Sequence, residues 1–135
     1  MAEVSPRIDK VGYVILFVKD VEASVAFYRD KVGVPVRSYD PHWSELATQG
    51  TTIALHGIDA SNADKAGPSQ GSEIVFAVED VLGVRKILKE RGVAVEEPKV
   101  VHEAGPEMVG VSCMFRDPDG NLCSVYGLAP RAAVA

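Results

Sequence analysis

The residues Val18-Lys19-Asp20-Val21-Glu22 recur later in the chain as Val78-Glu79-Asp80-Val81-Leu82, and this repeat decides the fold. Residues 11–18 before the first copy and residues 74–78 before the second are largely apolar, as in strands. A helical spacing of apolar residues follows each copy. Because the same order of strand, aspartate and helix occurs twice, the sequence predicts a duplicated structural unit.

Each predicted helix has a start signal and a stop signal. Asp20 and Asp80 stand directly before the helices, where a short carboxylate accepts a hydrogen bond from a free backbone N–H group and interacts favourably with the helix dipole. Gly33 and Gly92 follow the last helical residues, where a positive φ angle is common. The helices are therefore expected to begin after the aspartates and to end before the glycines.

Strands are predicted after each helix because the apolar period changes from 3.6 to 2. The predicted strands cover residues 35–39, 43–48 and 51–56 in the first half, and 93–96, 109–116 and 121–127 in the second. The residues Asp117-Pro118-Asp119-Gly120-Asn121 are typical of a tight hairpin turn. The fold class is α+β, with two βαβββ units that form a cup-shaped, half-open barrel and carry their helices on the outer face.

The chain divides into five segments on this interpretation. They are an N-terminal extension at 1–7, a first βαβββ unit at 8–56, a linker at 57–71, a second βαβββ unit at 72–128 and a frayed tail at 129–135. The linker and the tail are assigned from their small and polar composition and from their position. His102 is expected to lie near a turn.

Composition excludes several classes of protein. The chain has 135 residues, of which 47% are hydrophobic and 24% charged, which is ordinary for a folded domain. The longest apolar run, 14–18, is far shorter than the roughly 20 residues of a membrane span. A net charge of −5 without a basic run argues against nucleic acid as a partner. With no signal pattern and two cysteines, we expect a cytoplasmic protein without disulfides.

Three stretches resemble the vicinal oxygen chelate superfamily, which includes glyoxalase I, bleomycin-resistance proteins and extradiol dioxygenases. They are 12–28, 73–92 and the hairpin 115–121, and the resemblance extends over about residues 8–128. It implies the cup fold and a homodimer. In metal-using members it also implies a divalent ion held on four side chains, from the first and last strands of each unit.

Only one of the four implied ligand positions carries an ordinary metal ligand. The positions are Tyr13, Ala54, Glu73 and Ser124. Alanine has no donor atom, and neutral Ser and Tyr are poor ligands for divalent ions. We therefore expect no metal and no cofactor. The alternative is one divalent ion with a displaced ligand set that uses Glu73 and His56.

Strand alternation predicts which side chains line the cup, since every second residue of a strand faces the same side. The predicted ligand-binding residues are Tyr13, Ile15, Phe17, Trp43, Ala54, His56, Glu73, Val75, Met114, Ser124 and Tyr126. A lining that is mostly apolar and aromatic with a few polar groups is typical of a pocket for a small organic molecule.

Three hypotheses for the function follow. The first is a metal-free protein that binds an apolar or aromatic organic molecule in the cup, as bleomycin-resistance proteins do by resemblance. The second is a metal-dependent lyase, isomerase or dioxygenase that uses Glu73 and His56 as ligands. The third is a metal-free acid/base enzyme with Glu73 and His56 as catalytic groups, in which burial in the cup would raise the pKa of Glu73 and favour proton transfer. Whether the protein is an enzyme stays open at this point.

Overall fold

Two four-stranded sheets, one from each half of the sequence, organise the fold. The coordinates are a computed structural model and describe residues 7–68 and 71–134. The first half contains β1 (Tyr13–Val18), α1 (Val21–Ala26), a π-helical continuation (Phe27–Val32), β2 (Val36–Ser38), β3 (Trp43–Leu46) and β4 (Thr52–Gly57). The second half contains β5 (Ile74–Ala77), α2 (Val81–Glu90), β6 (Lys99–Glu103), β7 (Met108–Arg116) and β8 (Leu122–Pro130). Short 3₁₀ turns lie at Ala63–Lys65 and Arg131–Ala133.

The two sheets have the same topology. Their strand orders are β1-β4-β3-β2 and β5-β8-β7-β6. The first strand of each unit pairs in parallel with the last, and the other pairs are antiparallel. This duplicated α+β arrangement, without a closed barrel, confirms the predicted fold class.

One face of each sheet packs against its helix. In β1 the side chains of Leu16 and Val18 are buried, whereas Tyr13 and Ile15 on the opposite face are exposed. The core continues through α1 and α2 and through alternate residues of β7 and β8. Burial of these apolar side chains is the main stabilising contribution to the fold.

The predicted helix signals are present. Asp20 accepts a hydrogen bond from the backbone of Ala23 at 3.1 Å, and Asp80 accepts one from Gly83 at 3.0 Å. Gly33 ends the first helical segment with φ 95°. Each helix is therefore capped at its N-terminus by the aspartate of the repeated motif.

A buried polar network joins the two units. The Tyr28 hydroxyl donates to Asp117 Oδ2 at 2.8 Å, and the Asn121 side chain donates to the same oxygen at 2.9 Å. The Cys123 thiol lies 3.5 Å from the Tyr28 hydroxyl. Burial raises the pKa of Tyr28 above its usual range and raises the pKa of Cys123 to about 11. The predicted hairpin turn at 117–121 thus also anchors the first unit.

The predicted strand at 93–96 is wrong. Val93 and Val95 are buried, but only one backbone hydrogen bond, from Glu96 to Met114, connects this segment with β7. β6 takes the place beside β7 instead, and all five of its residues are exposed. The alternating burial of 93–96 therefore comes from packing on the core and not from a strand pairing.

The expected frayed tail is also wrong for the residues that the structure describes. β8 continues to Pro130, and the backbone N–H of Arg131 donates to the Glu107 carbonyl at 2.7 Å. The Arg131 side chain forms an ion pair with Glu103 of β6.

None of the helices in the described residues has the length and hydropathy that a membrane-spanning helix needs.

Candidate functional site

Each sheet leaves uncovered the face that its helix does not touch, and we call this its open face. On the first sheet, Tyr13, Ile15 and Phe17 of β1 share the open face with Ala54 and His56 of β4, because Ile15 pairs with Ala54 and Phe17 with His56. Trp43 of β3 pairs with His56 and lies on the same face. All six predicted residues of the first unit thus lie on one face of the sheet, although Ala54 is fully buried there by its neighbours.

Four aromatic rings form a row across this open face. The ring centroids of Tyr13 and Trp43 are 6.3 Å apart, those of Trp43 and His56 are 5.3 Å apart, and those of His56 and Phe17 are 5.4 Å apart. The Lys65 ammonium lies 4.8 Å from the Phe17 centroid, within cation–π range. The row presents apolar ring surface to a ligand. The Lys65 ammonium lies at the Phe17 end of the row.

Glu45 fixes the orientation of Trp43. Its Oε2 atom accepts a hydrogen bond from the indole nitrogen of Trp43 at 3.0 Å. Its Oε1 atom lies 3.5 Å from the guanidinium of Arg37, which also donates to the Thr52 hydroxyl at 2.9 Å. Sequence analysis missed Glu45, Arg37 and Lys65, although the two-residue spacing of Trp43 and Glu45 on a strand indicates a shared face.

The open face of the second sheet is more polar. Glu73 and Val75 share it with Met114, Ser124 and Tyr126, because Val75 pairs with Ser124 and Ser124 with Met114. The hydroxyl of the buried Ser124 donates to Glu73 Oε2 at 2.6 Å. A cavity of about 260 Å³ lies on this face and is lined by Glu73, Glu96, Glu97, Lys99, Val101, Ser112 and Met114.

Tyr126 contacts a residue that the sequence placed near a turn. His102 lies in β6, and its ring stacks on that of Tyr126 with centroids 5.7 Å apart. The Tyr126 hydroxyl also lies within hydrogen-bond distance of the His102 ring. The absence of apolar alternation in β6 explains why the sequence pattern did not place His102 on a strand.

The two candidate catalytic residues make separate contacts. His56 packs between Phe17 and Trp43 on the first sheet, and Glu73 accepts the Ser124 hydrogen bond beside the second sheet. Glu73 is exposed in the structure, and its position differs in this respect from the burial in the cup that would favour proton transfer.

Comparison with known proteins decides the family. A sequence profile of the Glyoxalase/Bleomycin resistance protein/Dioxygenase superfamily matches residues 10–125. The chain belongs to this superfamily. The match covers the first βαβββ unit and the second unit as far as residue 125, which lies within β8.

Individual relatives of the superfamily match most of the chain. The uncharacterized protein YetH of Bacillus subtilis is 28% identical over 120 residues, which are 85% of this chain and 95% of YetH. Virulence protein STM3117 of Salmonella typhimurium is 28% identical over 122 residues, 87% of this chain and 83% of that protein. The crystal structure of TnmS3, an antibiotic binding protein from Streptomyces sp. CB03234, superposes with a TM-score of 0.68 at 26% identity, covering 93% of this chain and 100% of TnmS3.

The divalent cation that the superfamily resemblance implies does not fit the side chains at its four positions. Ala54 has no donor atom, and the Ser124 hydroxyl is engaged with the Glu73 carboxylate. The Tyr13 ring lies next to that of Trp43. Within 7–68 and 71–134, no three His, Cys, Asp or Glu side chains group closely enough to hold a metal ion. One carboxylate is too small a ligand set to bind a divalent ion tightly.

Proposed function

We propose that this protein binds a small apolar or aromatic organic molecule on its open faces without a metal ion. The observation that carries the proposal is the row of Tyr13, Trp43, His56 and Phe17 on the open face of the first sheet. Aromatic side chains provide large contact areas and specific ring geometries. A ligand with an aromatic ring would pack against part of this row and bury apolar surface of both partners.

Exposure of apolar side chains supports the proposal. Tyr13 is 54% exposed and Val75 is also 54% exposed, although both lie on strands within the fold. Exposed apolar side chains on the open face of a sheet favour a binding site there. The antibiotic binding of the similar protein TnmS3 supports a ligand of organic, antibiotic-like size.

A second copy of the chain is the further partner that we propose. The apolar side chains of Val100 and Tyr39 are exposed and are not among the residues proposed to bind the ligand, and a homodimer would remove such surface from water. Sedimentation equilibrium gives the mass directly, and a monomer at micromolar concentration contradicts this part of the proposal. The predicted cytoplasmic location stays a prediction.

Binding of N-phenyl-1-naphthylamine tests the proposal. This uncharged aromatic probe becomes fluorescent in apolar surroundings, and its affinity is measured by titration with the purified protein. Replacing Ile15 by Ala removes apolar contact area from the open face and is expected to weaken binding about fivefold. The matched control is Ile87→Ala on α2, since Ile87 is 45% exposed and Ile15 is 40% exposed.

The two variants separate the proposal from unspecific binding. We expect Ile87→Ala to retain the wild-type affinity because Ile87 lies on the helix and not on an open face. Equal affinities for wild type, Ile15→Ala and Ile87→Ala, or no binding to any of the three, contradict the proposed function.

A further inference from the structure

The second open face holds a hydrogen-bonded histidine and tyrosine that the proposed function does not yet use. The Tyr126 hydroxyl lies 3.1 Å from both Nδ1 and Nε2 of His102. A neutral imidazole has one N–H donor and one acceptor nitrogen, so the tautomer of His102 decides whether the Tyr126 hydroxyl donates to the ring or accepts from it. Among the described residues, Tyr126 is the one side chain that hydrogen-bonds to the His102 ring.

Gly110 makes this arrangement possible. It pairs with His102 across β6 and β7, and a Cβ atom at position 110 would collide with the His102 ring and lie 2.7 Å from the Tyr126 hydroxyl. With glycine there, the imidazole lies directly on the backbone of β7. Gly110 therefore positions His102 beside Tyr126.

The surroundings of His102 supply further hydrogen-bond donors. Ser112 is opposite Tyr126 in the sheet, and Lys99 is opposite Ser112, so both lie on the same open face. No ion pair to Lys99 is present in the described part of the chain. The His102 end of the face therefore presents an ammonium, an imidazole and two hydroxyl groups.

The carboxylates of the second open face are either paired with an arginine or lie at the end opposite His102. Glu103, next to His102, is bound to Arg131, and the hydrogen bond from Arg131 lowers the pKa of Glu103. Glu73, Glu96 and Glu97 line the cavity that Lys99 also lines, and Glu97 lies 3.3 Å from Arg85. The face thus has a donor-rich end at His102 and an acidic end at Glu73.

We infer that His102 and Tyr126, with Lys99 and Ser112 beside them, bind an acidic oxygen group of the ligand, so that the ligand is an aromatic acid. The inference rests on the proposed function and specifies its ligand class. A carboxylate, sulfonate or phenolate oxygen accepts hydrogen bonds from the Lys99 ammonium and from the hydroxyl and ring N–H groups beside it, and charge-assisted bonds of this kind are the stronger ones. The Glu73, Glu96 and Glu97 carboxylates, which line the cavity that Lys99 also lines, disfavour an anion placed further toward Glu73.

Two probes with the same ring system test the inference. 8-Anilinonaphthalene-1-sulfonate carries an anionic group, and N-phenyl-1-naphthylamine has the same rings without it. We expect His102→Gln to weaken binding of the sulfonate probe about tenfold and to change binding of the uncharged probe less than twofold. Tyr126→Phe is expected to act in the same direction. The matched control is His42→Gln, since His42 is exposed in the segment before β3.

A second variant tests the positioning role of Gly110. Gly110→Ala is expected to reproduce the selective loss of sulfonate affinity, because the added methyl group displaces the His102 ring. Circular dichroism and the retained affinity for the uncharged probe show whether this variant is folded.

The outcomes separate the two proposals. If His102→Gln loses affinity for both probes equally, or for neither probe, the inference about the acidic group is overturned. The proposal that the protein binds an aromatic molecule is unaffected by that result. A failure of wild-type protein to bind either probe overturns the proposed function as well. A loss of sulfonate affinity in His42→Gln equal to that in His102→Gln also overturns the inference, because it shows a general charge effect.

Discussion

Tyr28 connects the two repeated units through a single hydroxyl group. The hydroxyl donates to the buried carboxylate of Asp117 at 2.8 Å. Replacing Tyr28 by Phe keeps the ring but leaves Asp117 with one donor fewer, so we expect a loss of about 1–3 kcal/mol in the free energy of unfolding. Urea denaturation measures it. The control Tyr39→Phe changes an exposed ring and is expected to have almost no effect, and equal losses in both variants contradict this role of Tyr28.

Cys123 makes the stability depend on pH in the alkaline range. Burial raises the pKa of its thiol from 9.0 to about 11, so between these values the unfolded chain releases a proton that the folded chain keeps. The stabilising contribution is complete below pH 9 and is lost as the pH rises toward 11, with a slope of at most about 1.4 kcal/mol per pH unit. Urea unfolding of wild type and Cys123→Ala at a series of pH values is expected to show a shallower slope for the variant. If wild type and Cys123→Ala show the same slope of stability against pH, Cys123 does not cause the alkaline loss of stability.

At the scale of elements, the aspartate before each helix determines where that helix begins. Asp80→Ala removes the hydrogen bond to Gly83 and is expected to cost about 1 kcal/mol of stability, because the first backbone N–H groups of α2 lose their acceptor. Thermal or urea denaturation measures the change. The control is Glu79→Ala, an exposed carboxylate that does not cap the helix, and a comparable loss there shows that net charge, not capping, is responsible.

The elements that the sequence predicted correctly carry strong local signals. The Asp20 and Asp80 caps, the glycine after each helix and the hairpin at 117–121 all depend on interactions between residues close in sequence. Strand alternation also grouped the candidate residues of each sheet on one face, because the side-chain period of a strand is 2.

The elements and contacts that the sequence missed depend on residues far apart. β6 is exposed along its whole length, so no apolar alternation reveals it, and 93–96 alternates without pairing as a strand. The ordered tail depends on the contact of Arg131 with Glu103. Contacts of Arg37 with Thr52 and of His102 with Tyr126 arise only when the sheets form.

For the whole molecule, we propose that the duplicated fold binds its ligand without a metal ion, because the four positions that the resemblance implies for a metal carry Tyr13, Ala54, Glu73 and Ser124. If the protein binds no metal ion, Ni²⁺, Mn²⁺, Zn²⁺ and Fe²⁺ are expected to leave its melting temperature essentially unchanged. A metal present at 100 times its Kd would add about 2.7 kcal/mol to the stability and raise the melting temperature by roughly 8 °C or more. A rise of that size in a thermal melt, reversed by a chelator, contradicts metal independence.

The central claim is that the open faces of the two sheets bind an aromatic molecule. Backbone amide chemical shifts of the isotopically labelled protein, recorded by NMR during titration with 8-anilinonaphthalene-1-sulfonate, test it most directly. We expect the shifts to change around Tyr13, Trp43, His56 and His102 and to stay constant along α2. Changes that concentrate on the helices, or that are absent at saturating probe, contradict the claim.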